Sequence, residues 1–191
     1  MANVSSDYFQ PIFFLSVYPQ FAATYGVTNA FGVLGAGLLS AIIGGIMSDK
    51  FGQKSRKNLS KICYISALLA LPFMTASTLI TSNFYLALGC SIMRVLIGET
   101  FWGPSVSMIQ DSVPQAELSS YISAWQFFNY CSGGFITIFV SALVGLLGLR
   151  TNPIALGKLL AGISIVTYVG SGLAWWKAGK EYERMGRGRE G

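Results

Sequence analysis

Six apolar runs alternate with short polar breaks along this chain, at residues 8–25, 30–48, 62–80, 84–108, 119–149 and 155–176. A membrane helix needs about 20 mostly apolar residues to cross a hydrocarbon core of roughly 30 Å, so each run predicts a span. The run 8–25 is the shortest, about 27 Å at ~1.5 Å per residue, and it carries Pro11 and Pro19. Pro11 suits the start of a helix. Interrupted helices in transporters also line cavities, where neighbours or water satisfy the freed carbonyls. Turns are predicted at 26–29, 81–83 and 150–153, with a longer polar link at 110–118. The second run holds Gly32, Gly35, Gly37, Ser40, Ala41, Gly44 and Gly45. Ser40 with Gly44, and Ala41 with Gly45, are small residues four apart, a spacing that lets another helix backbone come close.

Two runs carry polar chemistry. The fourth contains Arg94 and Glu99, charges set well inside an apolar segment, followed by Phe101, Trp102, Gly103 and Pro104. Inserting a charge near a helix centre costs ~2.5 to 3.5 kcal/mol on translocon scales, so such residues face a bundle interior. Five residues apart is about 140° around a helix, so the two do not share a face and each needs its own partner. Arg94 is read either as a contact for an anionic or polar solute or gate, or as half of a structural pair; Glu99, beside Trp102, reads as a structural hydrogen-bond acceptor with a place in the same site. The fifth run has a polar stripe at Ser119, Ser123, Gln126, Tyr130, Gly133 and Thr137, with Asn129 beside it. These offsets of three and four lie on one helical face. Gln126, Asn129 and Tyr130 are larger than packing alone requires, so they are read as lining a cavity.

Charge orients the spans. Residues 44–57 read GGIMSDKFGQKSRK, a hinge between the second and third runs. Lys50, Lys54, Arg56, Lys57 and Lys61 crowd around it, and Lys177, Lys180, Arg184, Arg187 and Arg189 follow the last run, together ten of the thirteen basic residues. An excess of Lys and Arg marks the cytoplasmic face. Both clusters lie on one side only if an even number of spans separates them, and six spans with both ends inside fit. Residues 1–7 form the expected cytoplasmic N-terminus, 8–176 a six-helix membrane domain anchored at Trp175 and Trp176, and 177–191 a basic tail whose GRGREG end reads as disordered and solvated.

Composition agrees: 52% of residues are hydrophobic and 11% charged, against about 25% charged in a soluble domain. The net charge of +5 comes from the two clusters beside spans, so no nucleic-acid partner is read from it. Cys63, Cys90 and Cys131 sit in apolar runs without C-x-x-C spacing, and there is no histidine, so neither a disulfide framework nor a metal site is expected. Residues 1–7 carry no positive charge and do not read as a cleavable signal peptide. Asn3 and Asn58 match the glycosylation pattern by chance, being on the basic side. No nucleotide-binding or catalytic constellation is present, so no cofactor and no enzymatic activity are expected.

The hinge carries a resemblance. Gly45, three residues, then Asp49, Lys50, Phe51, Gly52, Gln53 and Lys54 resembles the signature loop of the major facilitator superfamily, which follows the second helix of each six-helix half. Gln53 and Ser55 stand where that family often has basic residues. The segment 100–123 resembles the end of the tenth helix and the next loop of such transporters, including Spinster-like ones. With the long fifth run and basic tail, the resemblance implies a C-terminal half made of two three-helix repeats. It implies a small solute bound between two six-helix units by Arg94, Glu99, Gln126, Asn129 and Tyr130, and a gate at Gly45, Asp49, Lys50, Gly52 and Lys54, Gly45 allowing close helix approach. The first, second, fourth and fifth spans would line the cavity and the third and sixth face lipid. Six spans supply one unit, so a second must come from another copy, another chain or a longer chain. The alternative is a structural subunit of a larger membrane complex, derived from a transporter half and transporting nothing.

Overall fold

The computed structural model describes residues 2–52, 56–149 and 152–187. Seven α-helices account for nearly all of them: α1 Ala2–Val17, α2 Ala22–Gly52, α3 Arg56–Leu79, α4 Phe84–Gly98, α5 Trp102–Ser112, α6 Leu118–Leu146 and α7 Pro153–Arg187. No strand occurs among the described residues. Five helical stretches are long and apolar enough to cross a membrane: Pro19–Gly52, Lys57–Leu79, Phe84–Ser112, Gln115–Leu146 and Pro153–Arg184. The chain is thus an all-α, multi-pass membrane protein. The first run falls short of a sixth such helix, its apolar helical part being only Tyr8–Val17.

The reason is Pro19. A proline disfavours the helical region for the residue before it, and here Tyr18 leaves it, with φ −125° and ψ 57°. Helix α1 therefore stops at Val17, a 3-10 turn covers Pro19–Phe21, and α2 begins at Ala22. The expected single span over 8–25 is cut in two. The turn expected at 26–29 does not form either, because α2 runs straight through it. Gly26 and Asn29 are weak breakers where the only partners for backbone groups are within the helix, whereas Pro19 has no N–H to offer.

An aromatic cluster holds this corner. Phe14 stacks on Tyr25 with ring centroids 4.8 Å apart, Phe21 stacks on Phe84 at 4.6 Å, and the Tyr18 hydroxyl donates to the Ile80 carbonyl at 2.7 Å. Phe13, Val140, Val144 and Leu156 extend the core across α6 and α7. At the opposite end, Lys57 pairs with Glu183 at 3.2 Å, so the hinge and the basic C-terminal stretch meet at one end of the bundle, as the charge pattern requires.

Helix α3 is the centre of the bundle. It packs on α7, α4, α5 and α2, while α2 and α6 are the least buried spans. The third span, expected to face lipid, packs inward on one face and leaves Ile65, Leu69 and Leu79 exposed on the other. Lipid tails provide no hydrophobic drive between helices, so close backbone approach and hydrogen bonds decide the packing. Along α7, Gly157 lies under the Thr78 carbonyl, Gly172 against the Tyr64 ring and Gly179 against Ser60, and Ser60 Oγ donates to the Trp175 carbonyl at 2.5 Å.

The basic tail expected to follow the last span at 176 instead continues α7 as far as Arg187, while most of the GRGREG end lies outside the described residues. Tyr182 is buried with Leu59 and Met108, its hydroxyl donates to Asp111 Oδ2 at 2.5 Å, and Lys180 lies 3.5 Å from the Trp176 ring centre. A buried tyrosine and a partner for its hydroxyl are what keep this segment folded. Residues 188–191 lie outside the described residues.

Candidate functional site

The α4–α5 helix pair passes through the bundle with a defect at its middle. Residues Glu99–Phe101 are 3-10 rather than α, and Pro104 lies just downstream. Pro104 has no N–H for the Thr100 carbonyl, and its ring pushes that carbonyl aside. The displaced oxygen has a place to go: a methyl group built on Gly44 would lie 2.6 Å from it. A methyl on Gly103 would in turn lie 2.9 Å from the Gly44 carbonyl carbon and oxygen. Two glycines thus bring α2 and α5 backbone to backbone. Ser40 Oγ lies 3.3 Å from Thr100 Oγ1 and Ser48 Oγ 2.7 Å from Ser107 Oγ, one turn either side of Gly44. Of the two predicted small-residue pairs, only Ser40 with Gly44 is used. A side chain at Gly45 would meet open space, so the close approach expected of Gly45 belongs to its neighbour.

On the other side of the same helix is Arg94, 2% exposed. It is the only charged side chain in the buried class among the described residues. One turn before it, Ser91 Oγ accepts a hydrogen bond from the Gln10 amide, and Gln10 is itself buried. This makes a polar contact between α1 and α4 in the bundle interior. Gln10 was missed by the sequence reading; the available signal was an amide inside an apolar run, the same signal that picked out Arg94.

The remaining candidates scatter around the α5–α6 contact. Glu99 accepts a hydrogen bond from Trp102 Nε1, and the Trp102 ring meets Trp125 edge-on, centroids 5.0 Å apart. Gln126 follows Trp125 on α6; its side-chain carbonyl oxygen is buried with no hydrogen-bond partner among the described residues. Asn129 lines a cavity between α6 and α7. Tyr130 is 62% exposed and turns outward, as do Ser119 and Ser123. The stripe therefore wraps from the bundle interior to its surface, and Tyr130 does not join Arg94 in one pocket.

The hinge is tied down at several points. Asp49 and Lys50 are exposed at the end of α2, and the Asn58 amide donates to the Phe51 carbonyl at 3.2 Å, satisfying one of the carbonyls left open where α2 ends. A methyl on Gly52 would come 3.0 Å from Leu59, so this glycine makes room for the start of α3. Lys54 lies outside the described residues. The Lys57–Glu183 and Tyr182–Asp111 contacts fasten α3, α5 and α7 together here. No cluster of three or more metal-ligating side chains occurs among the described residues. No family model matches this chain, and neither the curated proteins nor the solved structures contain a match.

Proposed function

We propose that this chain is one six-helix unit of a membrane transporter that moves a small polar solute by alternating access, with α1 as the short first span and a second unit completing the path. The observation that carries the reading is Arg94: a cation desolvated at the centre of a membrane bundle is costly, and it sits one turn from a second polar pair, Gln10 and Ser91. The 3-10 break at Glu99–Phe101 supports it, since discontinuous helices supply binding groups at the midplane of transporters. Gln126, with its buried and unmatched carbonyl oxygen, adds an acceptor for a solute donor, and Glu99 holds the neighbouring tryptophan in place. The hinge-end contacts of Lys57, Asp111, Tyr182 and Glu183 form the gate that opens and closes. This reading follows the resemblance of the 45–54 loop to the major facilitator pattern.

The test is solvent access to the Arg94 region in cell membranes. With the native cysteines replaced by serine, Ser91→Cys should react with an impermeant thiol reagent from one face, and from the other once the gate is shifted by Glu183→Lys. Access from neither face in both variants would reject a transport path through this region.

A structural subunit is the second reading. It is favoured by α6, whose exposed face mixes polar Ser119 and Ser123 with Phe127, Phe128 and Tyr130 and so asks for protein beside it.

A further inference from the structure

A cavity of about 450 Å³ lies between α3, α6 and α7, near the hinge end of the bundle. Its origin is physical. Helices α6 and α7 both pack on α1, and at Thr167, Gly170, Ser171, Ala174 and Ala178 α7 turns small side chains toward the gap between them. These positions recur at helical spacing on one face, so that face cannot fill the space. Trp125 of α6, Trp175 of α7 and Phe101 close one end with aromatic rings, and Asn129 adds an amide to the wall. Arg94 and Glu99 are not part of that wall.

We infer that this cavity binds an uncharged, ring-bearing molecule of drug-like size that carries a hydrogen-bond donor. The volume falls in the range of about 300 to 1,000 Å³ typical of small-molecule sites. No charged side chain lines it, and an ion placed there without a counter-charge would lose its hydration uncompensated. The rings offer faces and edges for aromatic packing, which rewards a flat partner. Two hydroxyls of the wall offer acceptors. Thr167 Oγ1 donates to the Ile163 carbonyl at 2.9 Å and Ser66 Oγ to the Cys63 carbonyl at 3.0 Å, so each spends its proton within its own helix and keeps lone pairs to accept. An acyl chain from the bilayer would offer nothing to these acceptors, which disfavours it as the occupant.

This cavity shares Phe101 and Asn129 with the segments considered for the solute path but not Arg94, Gln10 or Ser91, and its test needs no transport. The probe is 1-aminoanthracene, a fused-ring amine uncharged at neutral pH, titrated into the full chain in nanodiscs and read by energy transfer from tryptophan. A methyl on Gly170 or on Gly162 meets open space, but only Gly170 lines the cavity. Gly170→Phe therefore fills the site, and Gly162→Phe controls for a phenylalanine on the same helix. Saturable binding is expected in the wild type and in Gly162→Phe, weakened at least tenfold in Gly170→Phe. If Gly170→Phe does not fold, Ala174→Phe fills the same cavity and is expected to behave alike. Linear, unsaturable uptake of the probe overturns the proposal, as does equal affinity in the filled variant. Quenching of tryptophan by bromine-labelled acyl chains that the filled variant abolishes, with no competition by the probe, would show lipid as the occupant and overturn it too.

Discussion

Gly44 and Gly45 are neighbours of the same type, yet a side chain at one strikes the Thr100 carbonyl and at the other meets nothing. Backbone cannot move aside as a side chain can, so Gly44→Ala should lower stability by about 1 to 3 kcal/mol, the usual cost of overpacking. Gly45→Ala should be neutral or slightly stabilising, because alanine is the better helix former by about 1 kcal/mol. Thermal unfolding of the two variants in one detergent checks the pair, and equal losses would contradict the backbone crossing. The Gln10–Ser91 contact makes a similar local claim. Ser91→Ala leaves the buried Gln10 amide without its acceptor and should cost about 1 to 3 kcal/mol, while adding Gln10→Leu should return much of that loss. A double variant worse than the sum of the two singles would contradict it.

Among the elements, two prolines with similar sequence settings act differently. Pro19 ends a helix and Pro72 sits inside α3 without breaking it. Tyr18 is why: it leaves the helix and reaches the Ile80 carbonyl, while the rings of Phe14, Phe21 and Phe84 close the corner. The C-terminal part of α7 is the element the sequence misread most. Charge and glycine content describe a solvated tail, and nothing local distinguishes that from a helix whose tyrosine is buried against Leu59 and Met108. The amides of 177–184 should be protected from hydrogen exchange, and Tyr182→Phe should speed their exchange by loosening the Asp111 contact. Lys57→Ala should change stability by less than about 1 kcal/mol, because Lys57 itself is half exposed in its pair with Glu183. Unprotected amides in the wild type would return the segment to a tail.

At the scale of the whole molecule, what could be read from sequence was what depends on period and composition: an all-helical membrane bundle, spans joined by short turns, and two basic clusters at one end. Arg94 could be read too, since a charge in an apolar run needs no structure to stand out. What could not be read depends on contacts between distant segments. Which glycine touches a backbone, which face of α6 turns inward at Gln126 and outward at Tyr130, and which helices α3 packs against are set by partners tens of residues away. The exposed faces of α2 and α6 are the remaining open ground, and they bear on the central claim that this unit works as one of two around a shared path. The most direct test is the mass of the complex extracted in mild detergent, with the chain's own mass as the unit. The account predicts two units, either two copies or one copy with a partner of similar size. A stable single copy, or recovery only within a large assembly of many different subunits, would contradict it.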